Sequence, residues 1–257
     1  MKSLLPLLFP LITLTLAACQ SVRRPQSEND PDIVVAPSAA PPASGGSHVL
    51  TVTTWNVKHL GRDLFDPRQA APLLAEADIA TFQEVNVSEK GVKALRAIAA
   101  HLSSLMHEKF CVAVSERPSE GMEVYGYLWK NSRVSFVTKE GRVIEDCGNN
   151  VFTVRLGVRH AQEIKREPAF GTFFFRAAAR PFVLASIHLV PTAKKPALEV
   201  PPLFATFKDF EQPAIIAGDY NLDSSHSSFQ AARDVSFRSA MVRVKTSLKA
   251  NAREMSK

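Results

Sequence analysis

Residues 79–85 read Ile79-Ala80-Thr81-Phe82-Gln83-Glu84-Val85. A short apolar run of this length, bounded by polar residues, is a strand covered on both faces. It therefore belongs to a sheet that carries further layers. The run ends in Gln83 and Glu84, polar groups that core packing does not require. Three other segments share the form. Val49-Leu50-Thr51-Val52-Thr53-Thr54-Trp55-Asn56-Val57 is β-branched, partly alternating, and delivers Asn56. The strand over 181–188 delivers His188, and the strand over 213–218 runs into Gly218-Asp219-Tyr220-Asn221. If these strands are neighbours, one rim carries Asn, Glu, His, Asp and Asn. Carboxylate and amide oxygens with little sulfur suit a hard cation such as Mg2+. A divalent ion in basic surroundings suits phosphoester cleavage.

Each residue also has a plainer reading. Asn56 serves equally as a turn former, Glu84 as a solvated strand end, and His188 as a histidine satisfied under a loop. Gly218 to Asn221 reads as a simple turn. The weight lies in four such strand ends occurring along one chain.

The rest of the domain fits around them. Asp66-Pro67 starts a helix that runs to about Glu76, with Asp as cap and Pro in the first turn. Ser88 caps a longer helix whose Val92, Leu95, Ile98, Leu102 and Leu105 recur every three or four residues. Strands follow over 110–115, 123–130, 133–138, 151–158 and 170–176, and a helix over Leu203 to Phe210. Strands with interspersed helices and some tight turns predict mixed sheets in a layered α/β domain.

Composition bounds the function. The chain has 257 residues, of which 46% are hydrophobic, too apolar for disorder. Its 11 Gly and 17 Pro without a period exclude collagen, and three Cys are too few for a disulfide-built scaffold. Thirty-one Lys+Arg against 25 Asp+Glu leave +6, with a pI near 9.3. Charges cancel before residue 48, so the excess lies in the domain after it and allows an anionic partner. Cys111 and Cys147 either pair or stay free, Cys111 lying in an apolar run.

The N-terminus reads as an address. Lys2 precedes an apolar run over 4–16 that contains Pro6 and Pro10 and is too short to span a bilayer. Leu16-Ala17-Ala18-Cys19 resembles a bacterial lipobox. That resemblance implies a lipoprotein signal over 1–18, lipidation of Cys19, and anchorage to the cell envelope at the outer membrane, Gln20 following the cysteine. Residues 19–47 are Pro-, Ser- and Ala-rich and read as a disordered tether. The domain occupies 48–257.

Four segments carry a second resemblance. They are Thr54-Trp55-Asn56-Val57, Asp78 to Val85, Ser186-Ile187-His188-Leu189 and Ile215-Ile216-Ala217-Gly218-Asp219-Tyr220-Asn221-Leu222. In this order they resemble the endonuclease/exonuclease/phosphatase superfamily. Asn56 to Gly61, Glu123-Val124-Tyr125 and Arg166-Glu167-Pro168 resemble its deoxyribonuclease I branch. The resemblance implies a four-layer α/β sandwich, two stacked mixed sheets flanked by helices, and a Mg2+-dependent (or Mn2+-dependent, with Ca2+ a further ion) phosphodiester hydrolase acting on DNA. It implies Glu84 and Asn56 at the metal, and Asp219 and Asn221 positioning water or phosphate. His188 supported by Glu123 would supply an acid or a charge-stabilising contact, with Arg166 and Tyr125 holding the nucleic-acid strand. No protein partner is implied. The alternatives are an inactive nucleic-acid-binding lipoprotein on this fold, or a phosphatase or phospholipase of the same superfamily.

The superfamily closes with a strand carrying Asp and then a Ser-Asp-His element. After Asn221 the only histidine is His226, five residues on and too close to be that element. The expectation is a domain lacking its C-terminal strands, by truncation or as a natural variant.

Overall fold

The computed structural model describes residues 12–17, 48–62, 66–118, 123–157, 163–208 and 210–240. Its elements run β1 (Ile12–Ala17), β2 (Val49–Leu60), α1 (Pro67–Leu74), β3 (Ile79–Asn86), α2 (Glu89–Met106), β4 (Phe110–Ser115) and β5 (Glu123–Lys130). They continue β6 (Val134–Val137), β7 (Val143–Ile144), β8 (Val151–Leu156), β9 (Ala169–Phe175), β10 (Arg180–His188), α3 (Val200–Phe207), β11 (Ala214–Asp219) and α4 (Gln230–Asp234). Cys19, expected to be lipidated, the stretch 19–47 expected to be a tether, and residues 241–257 lie outside the described residues.

Strand alternation sets the layers. In β5, Tyr125, Tyr127 and Trp129 face one cluster, while Val124 and Leu128 face another. In β10, Phe182 and Leu184 join the same cluster as Tyr127, and Val183, Ala185 and Ile187 face away from it. Successive side chains point to opposite faces, so each strand is apolar on both sides and needs cover on both. The shared cluster lies between two sheets. α1 and α2 cover the far face of the first through Ala70, Leu74, Leu95, Ile98 and Leu102. α3 and α4 cover the far face of the second through Val200, Leu203, Phe204 and Ala232. The result is the four-layer mixed α/β arrangement expected from sequence.

The strand order is β1-β2-β3-β5-β4-β8-β9-β10-β11, with β6 pairing β7 and β9. β2 and β3, β4 and β8, and β10 and β11 are parallel; β3 and β5, β4 and β5, β8 and β9, and β9 and β10 are antiparallel. β8 turns the corner. Its residues 151–154 pair with β4, and Arg155 and Leu156 then pair with β9 of the second sheet.

Local chemistry accounts for the helices. The Ser88 hydroxyl accepts from Lys90 N at the start of α2, and His107 ends that helix in a left-handed conformation. Gly126 lets α2 approach, because a Cβ there would lie 2.6 Å from Leu95 Cδ1. Two details differ from the sequence reading. Leu105 is 48% exposed, because the last turn of α2 passes the covered surface. α3 starts at Val200 instead of Leu203: Pro201 and Pro202 fall in its first turn, where no backbone N–H is needed. No helix among the described residues is long and apolar enough to cross a membrane. β1, inside the stretch that reads as a signal, pairs antiparallel with the edge of β2, Ile12 opposite Thr54 and Ala17 opposite Val49.

Cys111 and Cys147 form a disulfide that closes a separation of 36 residues. The pairing that the sequence left open is thus made, and it fastens β4 to the loop before β8. A loop of that size corresponds to about 4 kcal/mol in the chain-entropy account. Reduction should lower the melting temperature by roughly 10 °C, read by circular dichroism with and without dithiothreitol. Cys111→Ser/Cys147→Ser should reproduce the loss and abolish the effect of reductant.

Candidate active site

Two of the parallel pairs, β2 with β3 and β10 with β11, bring their C-terminal ends to one rim. Asn56 of β2 is in register with Gln83 of β3, and His188 of β10 with Asp219 of β11. The Asn56 amide then ties the sheets together. Its Nδ2 donates to Glu84 Oε1 at 2.9 Å and to Asp219 Oδ2 at 3.0 Å, while its Oδ1 accepts from Lys58 N at 3.0 Å. Asp219 Oδ1 accepts from Asn221 N at 2.9 Å, and Asn221 Nδ2 donates to Leu189 O at 2.9 Å. Gly218 makes this end possible. At φ 147° a Cβ would lie 2.0 Å from Ile187 O, so no other residue fits beside β10.

Two histidines and two carboxylates alternate in a closed ring above the amide. Glu84 Oε1 lies 3.8 Å from His188 Nε2, and Glu84 Oε2 lies 3.5 Å from His59 Nδ1. Glu123 Oε2 lies 3.6 Å from His188 Nδ1, and Glu123 Oε1 lies 3.6 Å from His59 Nδ1. The His188 imidazole holds the Glu123 carboxyl below its ordinary value, against the burial that would raise it, and Arg166 and His59 act in the same direction. His188 is itself buried, its side chain 7% exposed.

A buried polar layer supports the rim. Gln83 Nε2 donates to Ser186 Oγ of the opposite sheet at 2.9 Å and to Thr54 Oγ1 at 3.1 Å. The Tyr127 hydroxyl donates to Ala169 O at 2.8 Å and accepts from Ser186 N at 3.2 Å. Tyr125 is buried behind the rim. Burial pushes its phenol well up, so it stays a neutral hydroxyl.

Two further features border the site. Glu199, buried before α3, accepts from Val190 N at 2.9 Å and from Lys165 N at 2.8 Å. It thereby fixes the chain just after His188 and just before Arg166. Arg166 Nη1 is buried with no hydrogen-bond partner among the described residues. An unpartnered buried donor of this kind calls for an acceptor.

Sequence reasoning thus placed Asn56, Glu84, Glu123, His188, Asp219 and Asn221 where the structure brings them together. It assigned no role to His59, Gln83 or Glu199. His59 lies in the Asn56-to-Gly61 stretch and Gln83 immediately before Glu84, so both positions are adjacent to predicted site residues. Glu199 carried no signal, because its partners are backbone groups. His226, by contrast, caps a short turn through Ser228. The donor set suits a divalent cation, since His59, Glu84 and Glu123 each offer an atom within 4.8 Å of the others.

Comparison with known proteins identifies the family. A family model described as the Endonuclease/Exonuclease/phosphatase family matches residues 53–252. The catalytic domain of human nocturnin superposes with a TM-score of 0.51 at 13% identity, covering 72% of this chain and 70% of that one. A mannosyl-6-phosphatase of Bacteroides thetaiotaomicron gives 0.48 at 17% identity over 71% of this chain and 69% of its own. A humanized D. rerio TDP2 gives 0.46 at 17% identity over 74% and 72%. No curated protein matches the sequence.

Replacing Glu199 by Ala leaves the Lys165 and Val190 N–H groups without their acceptor, at a cost of about 1–3 kcal/mol each. Glu199→Ala should lower the melting temperature by several degrees on thermal unfolding (about 2–4 °C per kcal/mol for a domain of this size). Glu199→Gln, which keeps an acceptor oxygen, should lose less.

Proposed function

The chain belongs to the endonuclease/exonuclease/phosphatase family of hydrolases, and on that premise we propose that it is a divalent-cation-dependent phosphodiesterase acting on DNA without sequence preference. The observation that carries this reading is the single Asn56 amide held between Glu84 and Asp219, with His188 alongside. Four strands from two sheets supply these groups, and core packing gives no reason for them to converge.

Glu84 and Asn56 would hold the cation, Mg2+ or Mn2+. A cation held there would supply Lewis-acid stabilisation of the charge that develops on the phosphate. Asp219 keeps acceptor capacity beyond its bonds to Asn56 and Asn221, so it would accept from a water and orient it toward phosphorus. His188, held beside Glu123, would donate to a phosphoryl oxygen or protonate the departing one. Arg166 would use its buried, unpartnered Nη1 for a phosphate oxygen, where a guanidinium fork fits well. The +6 charge, carried by the domain, supports salt-sensitive attraction to a polyanion.

Export is part of the proposal. Leu16-Ala17-Ala18-Cys19 supports cleavage before Cys19 and lipidation there, and the Cys111–Cys147 bridge is what an oxidising compartment permits. Such cleavage would take β1 away with the leader and leave β2 at the sheet edge.

Supercoiled plasmid is the test substrate. Purified protein should nick it in Mg2+ or Mn2+, and EDTA should abolish nicking. Glu84→Ala and His188→Ala should each lower the rate by at least about a hundredfold, the scale of one acid–base or charge-stabilising group. Nicking that survives both substitutions removes the assignment. Salt-sensitive DNA retention without cleavage would mark a binding module, and phosphate release without nicking a phosphatase. Lipidation is checked separately: cells given labelled palmitate should label the chain, and Cys19→Ala should not be labelled.

A further inference from the structure

β2 and β3 both break register at the rim, and both breaks serve one spot. Between Asn56 and Leu60 the pairing of β2 with β3 shifts, and Lys58 (φ 44°) and His59 (φ 65°) adopt left-handed backbone. Between Phe82 and Val85 the pairing of β3 with β5 shifts, and Glu84 (φ 61°) does the same. None of the three is glycine. Residues in this region carry a conformational cost that the surrounding fold must sustain, and bulges of this kind re-aim side chains beside active sites.

The consequence is the placement of His59. Its Nδ1 lies 3.5 Å from Glu84 Oε2 and 3.6 Å from Glu123 Oε1. Both separations are long for hydrogen bonds. They match two ligands on one ion: at bond lengths of about 2.0–2.2 Å, donors at a near-tetrahedral angle stand about 3.3–3.6 Å apart. The carboxylates divide their oxygens accordingly. Glu84 Oε2 and Glu123 Oε1 face His59, whereas Glu84 Oε1 and Glu123 Oε2 face His188. His188 therefore sits on the other side of both carboxylates.

We propose that His59 Nδ1, with Glu84 and Glu123, is a protein ligand to the cation and makes the site select a transition-metal dication, Mn2+, Co2+ or Zn2+, over Mg2+ and Ca2+. The inference rests on the reading of Glu84 as a cation ligand. Its chemistry is direct. An imidazole nitrogen adds affinity for first-row transition dications in the order Mn2+, Co2+, Zn2+, smallest for Mn2+, whereas Mg2+ and Ca2+ take oxygen donors and Mg2+ gives up its waters reluctantly.

The test uses metal-stripped full-length protein and Mn2+. Binding is followed by loss of the free Mn2+ resonance, competition by added Mg2+, and the nitrogen ligand by 14N coupling in pulsed electron paramagnetic resonance. Wild type should show 14N coupling and hold Mn2+ at least tenfold more tightly than Mg2+. His59→Asn is the informative variant, since Asn adopts left-handed backbone readily and keeps the bulge. It should lose the coupling and about tenfold or more of the Mn2+ affinity, the scale of losing a residue that supports a metal. His188→Gln should keep the coupling, which identifies the nitrogen even if His59→Asn folds poorly. Absence of coupling in wild type, its persistence in His59→Asn, or its loss in His188→Gln overturns the proposal. Glu84→Gln separates the two levels. If it weakens Mn2+ binding while His59→Asn does not, the His59 inference fails and the cation reading stands. If it leaves Mn2+ binding intact, the cation reading itself fails.

Discussion

One side-chain amide connects the halves of the molecule where the chemistry sits. Asn56 Nδ2 uses both its hydrogens, one on Glu84 of the first sheet and one on Asp219 of the second, residues separated by 163 positions from Asn56 in the latter case. Two stacked sheets that open at a rim have no apolar packing there to fix their separation. A charge-assisted hydrogen bond to each carboxylate supplies that distance, and it also holds two negative groups close without neutralising either. Behind the rim the Gln83–Ser186 and Tyr127–Ala169 bonds repeat the connection in the buried layer. Buried polar groups that are fully bonded specify one arrangement of the sheets, whereas an all-apolar interface would let them slide.

The rim also concentrates the backbone irregularity. Lys58, His59, Glu84 and Asn221 all have positive φ, and each stands in or beside a strand end that supplies a site residue. Regular pleat would have turned Glu84 toward the face of its neighbours. The extra residues in β2 and β3 aim both His59 and Glu84 at the ring formed with Glu123 and His188. Stability is spent there on direction, and the disulfide and the three apolar clusters hold the rest of the fold around it.

Much of this was legible in the chain. Strand alternation is a local property with a period of two, so the ranges of β3, β4, β5 and β10 and the capped start of α2 follow from residues a few positions apart. The polar residues at the strand ends were visible for the same reason, since apolar runs that finish in Asn56, Glu84, His188 or Asp219 stand out against core composition. The role of His59 was not legible: it depends on two bulges in different strands, and a register shift leaves no compositional mark. Glu199 escaped for a related reason, because it binds two backbone N–H groups brought near it by folding.

By itself the sequence determined the elements, the apolar faces that require a layered α/β domain, and the residue types available at four strand ends. Those properties arise from side-chain chemistry and short-range periodicity. Only the tertiary structure decided which ends meet, that Asn56 bridges Glu84 and Asp219, that Cys111 pairs with Cys147, and that His59 closes a ring with two glutamates. Such contacts join residues far apart in the chain, and their distances are set by sheet stacking and bulge geometry that no local pattern encodes.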